Sequence, residues 1–140
     1  NKELFLLIPV HPNKIVNEPL NEIFSNQPRA ILVKSLDYLS FISALNSCYL
    51  ILTDSGGLQE EAPALDKPVL VLRNTSERSE GLEAGVSKLI GNSYEKIVNE
   101  TNILLKNKVL YEKMAKSKNP FGDGNSCKKI KKIINDFFYS

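Results

Sequence analysis

Cysteine is scarce in this chain: two residues in 140, Cys48 and Cys127, with no CxxC pair between them. Two isolated thiols exclude a disulfide scaffold and point to a reducing compartment, the cytoplasm. Histidine is scarcer still, with His11 alone, and no cluster of metal-ligating residue types stands out, so neither a metal nor another cofactor is expected. Long apolar runs are also missing. Spanning a bilayer takes about 20 consecutive apolar residues, whereas the run Leu4 to Val10 stops in Pro-rich sequence without a signal-peptide cleavage pattern. A soluble chain with no membrane partner follows. The sequence opens on Asn1 rather than Met, with a strand-like run within four residues, so the start of the domain is expected upstream.

What remains is ordinary globular material: 42% hydrophobic and 24% charged residues, enough apolar side chain for a core. The formal charge of +2 conceals a split. Residues 1–100 carry 9 basic and 13 acidic side chains, residues 101–140 carry 9 and 3. A basic tail can mark a nucleic-acid binder, but these lysines interleave with Ile130, Ile133, Ile134 and Phe137. They read as the solvated face of a helix, and no nucleic-acid partner is expected.

Apolar runs of strand length recur at Leu4 to Val10, Ala30 to Val33, Tyr49 to Thr53, Pro68 to Leu72 and Ser87 to Ile90. Most are nearly continuous, the pattern of parallel strands buried on both faces. Helical patterns lie between them: Val16 to Phe24, Tyr38 to Ser47 with Asp37 as N-cap, and Gly57 to Leu65. After Gly91 the alternation gives way to three helices, Ser93 to Leu105, Lys108 to Ser117 and Ser126 to Phe138. The expected fold is α/β, a Rossmann-like doubly wound parallel sheet forming one nucleotide-binding domain, with a sheet region over 1–91 and a helical region over 92–140.

The stretch Ile51 to Val71, ILTDSGGLQEEAPALDKPVLV, carries the most chemical information. A strand ends at Thr53, the chain turns through Asp54 to Gly57, and a helix follows, so unpaired backbone N–H groups face the strand's C-terminal edge. An anion suits that position. Gly56 and Gly57 let a phosphate reach the backbone and the Ser55 hydroxyl can add a hydrogen bond; a serine N-cap with turn glycines is the plainer reading. Glu60 and Glu61 are expected in the first helical turn, where the dipole favours carboxylates, or as acceptors for a ribose diol. Arg73, Glu77 and Arg78 form a polar loop after a strand, placed to meet a phosphate or to pair with Glu80 or Glu83. His11 falls at a strand end, and Phe41 in a helical pattern reads as core.

Together, D-S-G-G-x-Q-E-E-A-P-x-L-x-K-P-V-L-V, then R-x-T-x-E-R-x-E-G-x-E-A-G, resembles the non-hydrolysing UDP-N-acetylglucosamine 2-epimerases. Pro9 to Asn13 with Glu18 and Pro19 is similar to that family's P-V-H-x-N segment, and Asn119 to Gly124 to its N-P-[YF]-G-D-G. Asn74 and Ser79 depart from the Asp and Pro usual there. Hydrolysing epimerases and glycosyltransferases share the same diphosphate grip, and a non-catalytic remnant of a split gene is the non-enzyme alternative.

The resemblance implies the second half of a glycosyltransferase-B architecture, incomplete at its N-terminus. By resemblance Ser55, Gly56 and Gly57 hold the diphosphate of a UDP-sugar, Glu61 the uridine ribose, and Phe41 lies near the uracil. His11 corresponds to a second, regulatory UDP-sugar site in some members, and Arg73 and Arg78 to loop contacts. No residue of this chain is implied as catalytic. The implied reaction interconverts UDP-GlcNAc and UDP-ManNAc without a cofactor. The implied partners are the N-terminal epimerase domain, or a separate chain carrying it, and a second copy in a homo-oligomer; alone, the chain is expected to be inactive.

Overall fold

The computed structural model describes residues 3–139. By its internal contacts the chain divides into two compact units, Asn1–Ala44 and Leu45–Ser140.

The first unit contains β1 (Leu6–Val10), α1 (Lys14–Phe24), β2 (Ala30–Lys34) and most of α2 (Tyr38–Ser47). β1 and β2 pair in parallel, from Leu6 opposite Ala30 to Val10 opposite Lys34. Asn13 caps α1 by accepting from the Ile15 N–H at 3.0 Å. Asp37 opens α2 as expected, accepting from Ser40 N at 3.0 Å and from Ser40 Oγ at 2.6 Å. Those bonds, the hydroxyl's first, hold its carboxyl below the usual carboxylate range. Full burial of these strands does not hold: Leu6 is 44% exposed and Ile31 47%. One helix against a two-stranded ladder covers at most one face, and α1 itself has no buried residue. A continuous apolar run identifies a strand without saying what covers it.

The second unit contains β3 (Ile51–Thr53), α3 (Gly56–Glu61) with a 3₁₀ turn over Ala62–Leu65, β4 (Val69–Val71), α4 (Ser79–Glu83), β5 (Ser87–Leu89), α5 (Tyr94–Lys106), α6 (Lys108–Ala115) and α7 (Ser126–Tyr139). Its ladder is parallel in the order β3-β4-β5, with Thr53 opposite Val71 and Val71 opposite Leu89. The fold is therefore α/β with parallel strands between helices, its ladder hydrogen bonds forming one two-stranded and one three-stranded sheet.

β4, the central strand, is buried throughout. Its Leu70 joins Ile90, Leu104 and Met114 in the core, with Leu52, Leu72 and Ile97 packed against them. Each such side chain, fully buried, stabilises the fold by about 1.5–3 kcal/mol. Tyr111 of α6 stacks on Tyr49 with ring centroids 4.0 Å apart, and its hydroxyl donates to the Tyr49 carbonyl at 2.8 Å. The helix expected from Gly57 to Leu65 breaks after Glu61 into the 3₁₀ turn, where Pro63 supplies no N–H. α4 follows the polar loop in a stretch where no helix was expected.

The N-P-F-G-D-G segment builds a corner. Asn119 Oδ1 accepts from Phe121 N at 3.0 Å, and Gly122 turns at a φ of 121°, open to glycine alone. Phe121 packs on α4 so closely that a Cβ on Gly81 would lie 3.1 Å from its ring. Asp123 pairs with Lys129 at 3.0 Å as α7 begins. Every described side chain of α7 is exposed, Ile133 at 66% and Phe137 at 79% among them. Among the described residues no helix is long and apolar enough to cross a membrane.

Candidate functional site

β3 delivers the chain to the candidate site. Thr53 is buried at its end; its Oγ1 accepts from Ser55 N at 3.0 Å and its carbonyl from Leu72 N at 2.8 Å. The turn after the strand is thereby fixed to the end of β4. α3 then begins at Gly56, with Ser55 at the N-cap in an extended conformation.

Ser55 is no ordinary cap. Its side chain makes no capping hydrogen bond, so its hydroxyl is not spent on the helix and the N–H groups of the first turn gain nothing from it. The glycines are not demanded by the turn either, because the positive-φ glycines are Gly85, Gly91, Gly122 and Gly124. What Gly57 supplies is room: a Cβ there would meet only Ser55 Oγ, at 3.9 Å, within 4 Å. At Gly56 a Cβ would lie 3.5 Å from Arg78 Nη2 and 3.5 Å from Glu77 Oε1. A guanidinium therefore sits beside the start of α3.

The carboxylates differ from expectation. No acidic residue lies in the first turn of α3, since a helix that starts at Gly56 puts Glu60 and Glu61 in its second turn, beyond the reach of the dipole argument. Glu60 instead pairs with Arg78 Nε. Arg78 Nη1 lies 3.6 Å from Glu77, whose other oxygen meets Arg73 at 3.2 Å. The guanidiniums thus pair with Glu60 and Glu77, not with Glu80 or Glu83. The Glu60 hydrogen bond raises the Arg78 pKa further, and Glu77, helped by a backbone N–H and then by Arg73, is held below the usual carboxylate range. Glu61 ends α3 half-buried.

Gln59 was not singled out by sequence, yet it is completely buried. Its Nε2 donates to the Ser55 carbonyl at 3.2 Å and its Oε1 accepts from Ser76 Oγ at 2.7 Å. Arg73 also lines an open depression of about 440 Å³ with Leu72, Asn74, Thr75 and Asn92. His11 and Phe41 belong to the first unit. His11 is exposed just beyond β1, its Nδ1 accepting from Asn13 N at 3.1 Å, and Phe41 is half-buried on α2. Among the described residues no group of three or more His, Cys, Asp or Glu is gathered in a way that could hold a metal ion.

The family model described as UDP-N-acetylglucosamine 2-epimerase matches residues 1–135. A UDP-N-acetylglucosamine 2-epimerase of Yersinia pestis is 46% identical over 132 residues, covering 94% of this chain and 35% of that protein. The crystal structure of a Neisseria meningitidis UDP-GlcNAc 2-epimerase bound to UDP-GlcNAc superposes with a TM-score of 0.89 at 40% identity, covering 94% of this chain and 36% of that one. A structure of S. aureus MnaA with UDP gives a TM-score of 0.91 at 39% identity, with 98% and 37% covered. The chain spans about a third of the length of the curated relatives it matches.

Proposed function

The chain belongs to the UDP-N-acetylglucosamine 2-epimerase family, and from that premise we propose that it is the UDP-binding portion of an enzyme interconverting UDP-GlcNAc and UDP-ManNAc. In this reading Ser55, Gly56 and Gly57 grip the diphosphate and Glu61 binds the uridine ribose. The carrying observation is the strand-to-helix turn itself. Ser55 has a hydroxyl not used as a cap, Gly57 leaves open space, and the Arg78 guanidinium lies beside Gly56. Support comes from its occurrence in a chain 40% identical to a protein solved with UDP-GlcNAc.

Epimerisation at C2 removes the proton there while the C1–O bond breaks, and UDP departs with the bonding pair. A double bond between C1 and C2 remains. UDP then returns to C1 as a proton is delivered to the other face of C2. Carbon ends at its starting oxidation level, so the overall change calls for no redox cofactor. Donors preorganised around the departing diphosphate stabilise the charge it gains, which is the task assigned here to Ser55, the first N–H groups of α3 and Arg78. Proton transfer at C2 is assigned to the portion of the enzyme outside this chain, which is its main proposed partner. The free thiols Cys48 and Cys127 suit the cytoplasm.

A calorimetric titration tests the assignment. UDP should bind with a Kd no tighter than about micromolar, because only part of a full cleft contributes. Ser55→Ala and Glu61→Ala should each weaken it about three- to tenfold. Identical affinities for both variants and the parent chain would remove the site from these residues.

A further inference from the structure

We propose that Gln59 is a positioning residue for the diphosphate grip, acting through Ser76 to hold Arg78 beside Gly56 before any ligand arrives. The inference rests on the UDP-binding reading above. It starts from an energetic oddity: Gln59 is a polar side chain with 0% exposure, and a buried amide destabilises the fold unless both ends are paired.

Both ends are paired, and the pairing has a direction. Nε2 donates to the carbonyl of Ser55, the residue that opens the turn, at 3.2 Å. Oε1 accepts from Ser76 Oγ at 2.7 Å, and that same hydroxyl oxygen accepts from the backbone N–H of Arg78 at 3.1 Å. A chain of three hydrogen bonds thus runs from the turn before α3 to the backbone of Arg78. The Arg78 side chain is then fixed from its far side: Glu60 takes Nε and Glu77 lies on Nη1. Nη2 is the nitrogen that lies 3.5 Å from a Cβ position on Gly56. Backbone and side chain are held separately, and Nη2 is the guanidinium nitrogen nearest the Gly56 Cβ position, with Glu77 Oε1 at the same 3.5 Å from it. A cation held this way loses little conformational freedom when an anion arrives, which is how preorganisation raises affinity.

A plug that merely fills space would behave differently from a positioner. If Gln59 and Ser76 work through Arg78, removing the link costs affinity only while Arg78 is present. The experiment is a UDP titration by calorimetry of the whole chain, with Ser76→Ala, Arg78→Ala, the double variant and Ser55→Ala beside it. Ser76→Ala leaves the Gln59 bond to Ser55 intact and is the gentler break; Gln59→Leu, where it folds, should match it. Ser76→Ala should weaken UDP about three- to tenfold, Arg78→Ala about tenfold or more, and the double variant no further than Arg78→Ala alone. Additive losses in the double variant, or parent affinity in Ser76→Ala while Ser55→Ala is weakened, would overturn the positioning role and leave the UDP site standing. No binding by the parent chain, or binding indifferent to Ser55→Ala, would overturn both.

Discussion

The purified 140-residue chain should form no UDP-ManNAc from UDP-GlcNAc, at any pH near neutrality, above the uncatalysed background. Removing the C2 proton needs a base within hydrogen-bond reach of the sugar and with a pKa suited to the task. Two acidic groups at the candidate site are engaged otherwise. Glu60 is ion-paired to Arg78, and Glu77 lies between Arg73 and Arg78 with its pKa driven down, which makes it a weaker base. His11, the sole imidazole, belongs to the other compact unit, its Nδ1 already accepting from the backbone of Asn13. Losing general acid–base catalysis alone typically costs 10²- to 10⁴-fold, roughly, before the rest of the cleft is counted. Supplying in trans the part of a family member that this chain does not span should restore turnover. Conversion by the chain alone, abolished by Glu61→Ala, would show that the proton-transfer groups lie here after all.

The second large effect concerns solution behaviour. α7 presents Ile130, Ile133, Ile134, Phe137 and Phe138 along one face, all between 47% and 79% exposed, while its lysines occupy the other. Helical spacing at i, i+3, i+4, i+7 and i+8 gathers them into a contiguous apolar stripe, the kind of exposed surface that favours association. In sedimentation velocity the chain should self-associate with rising concentration. Ile133→Lys combined with Phe137→Lys should return it toward a monomer with its melting temperature nearly unchanged, because exposed side chains add little to folding stability. A chain that stays monomeric across the concentration range, with the Phe137 and Phe138 rings protected from solvent, would contradict this.

Elements were legible in the sequence where local chemistry decides them. Asp37 before α2 is a side chain that satisfies a helix N–H group within a few residues, so its position reads directly. Short apolar runs located the five strands found among the described residues. The exposure of Leu6 and Ile31 was not legible, because it depends on what lies against the strand rather than on the strand. α4 escaped because Leu82 is its only large apolar residue, too little for a periodic signal. At the candidate site, the turn at Ser55, Gly56 and Gly57 was readable from the strand-turn-helix pattern, whereas the Glu60–Arg78 pair bridges 18 positions and the Gln59–Ser76 bond 17, separations to which no local pattern speaks. One signal for Gln59 was available, a glutamine four residues after Ser55, one helical turn on, where an amide can reach back to a carbonyl.

The central claim, that UDP is gripped where β3 turns into α3, is tested most directly by titrating UDP into isotopically labelled chain and following backbone amide resonances. The account predicts that the largest shifts fall on Ser55, Gly56 and Gly57, with Arg78 and Glu61 next, and that Ser55→Ala diminishes them together. Saturable shifts centred elsewhere in the chain, with the amides of Gly56 and Gly57 unmoved, would contradict it.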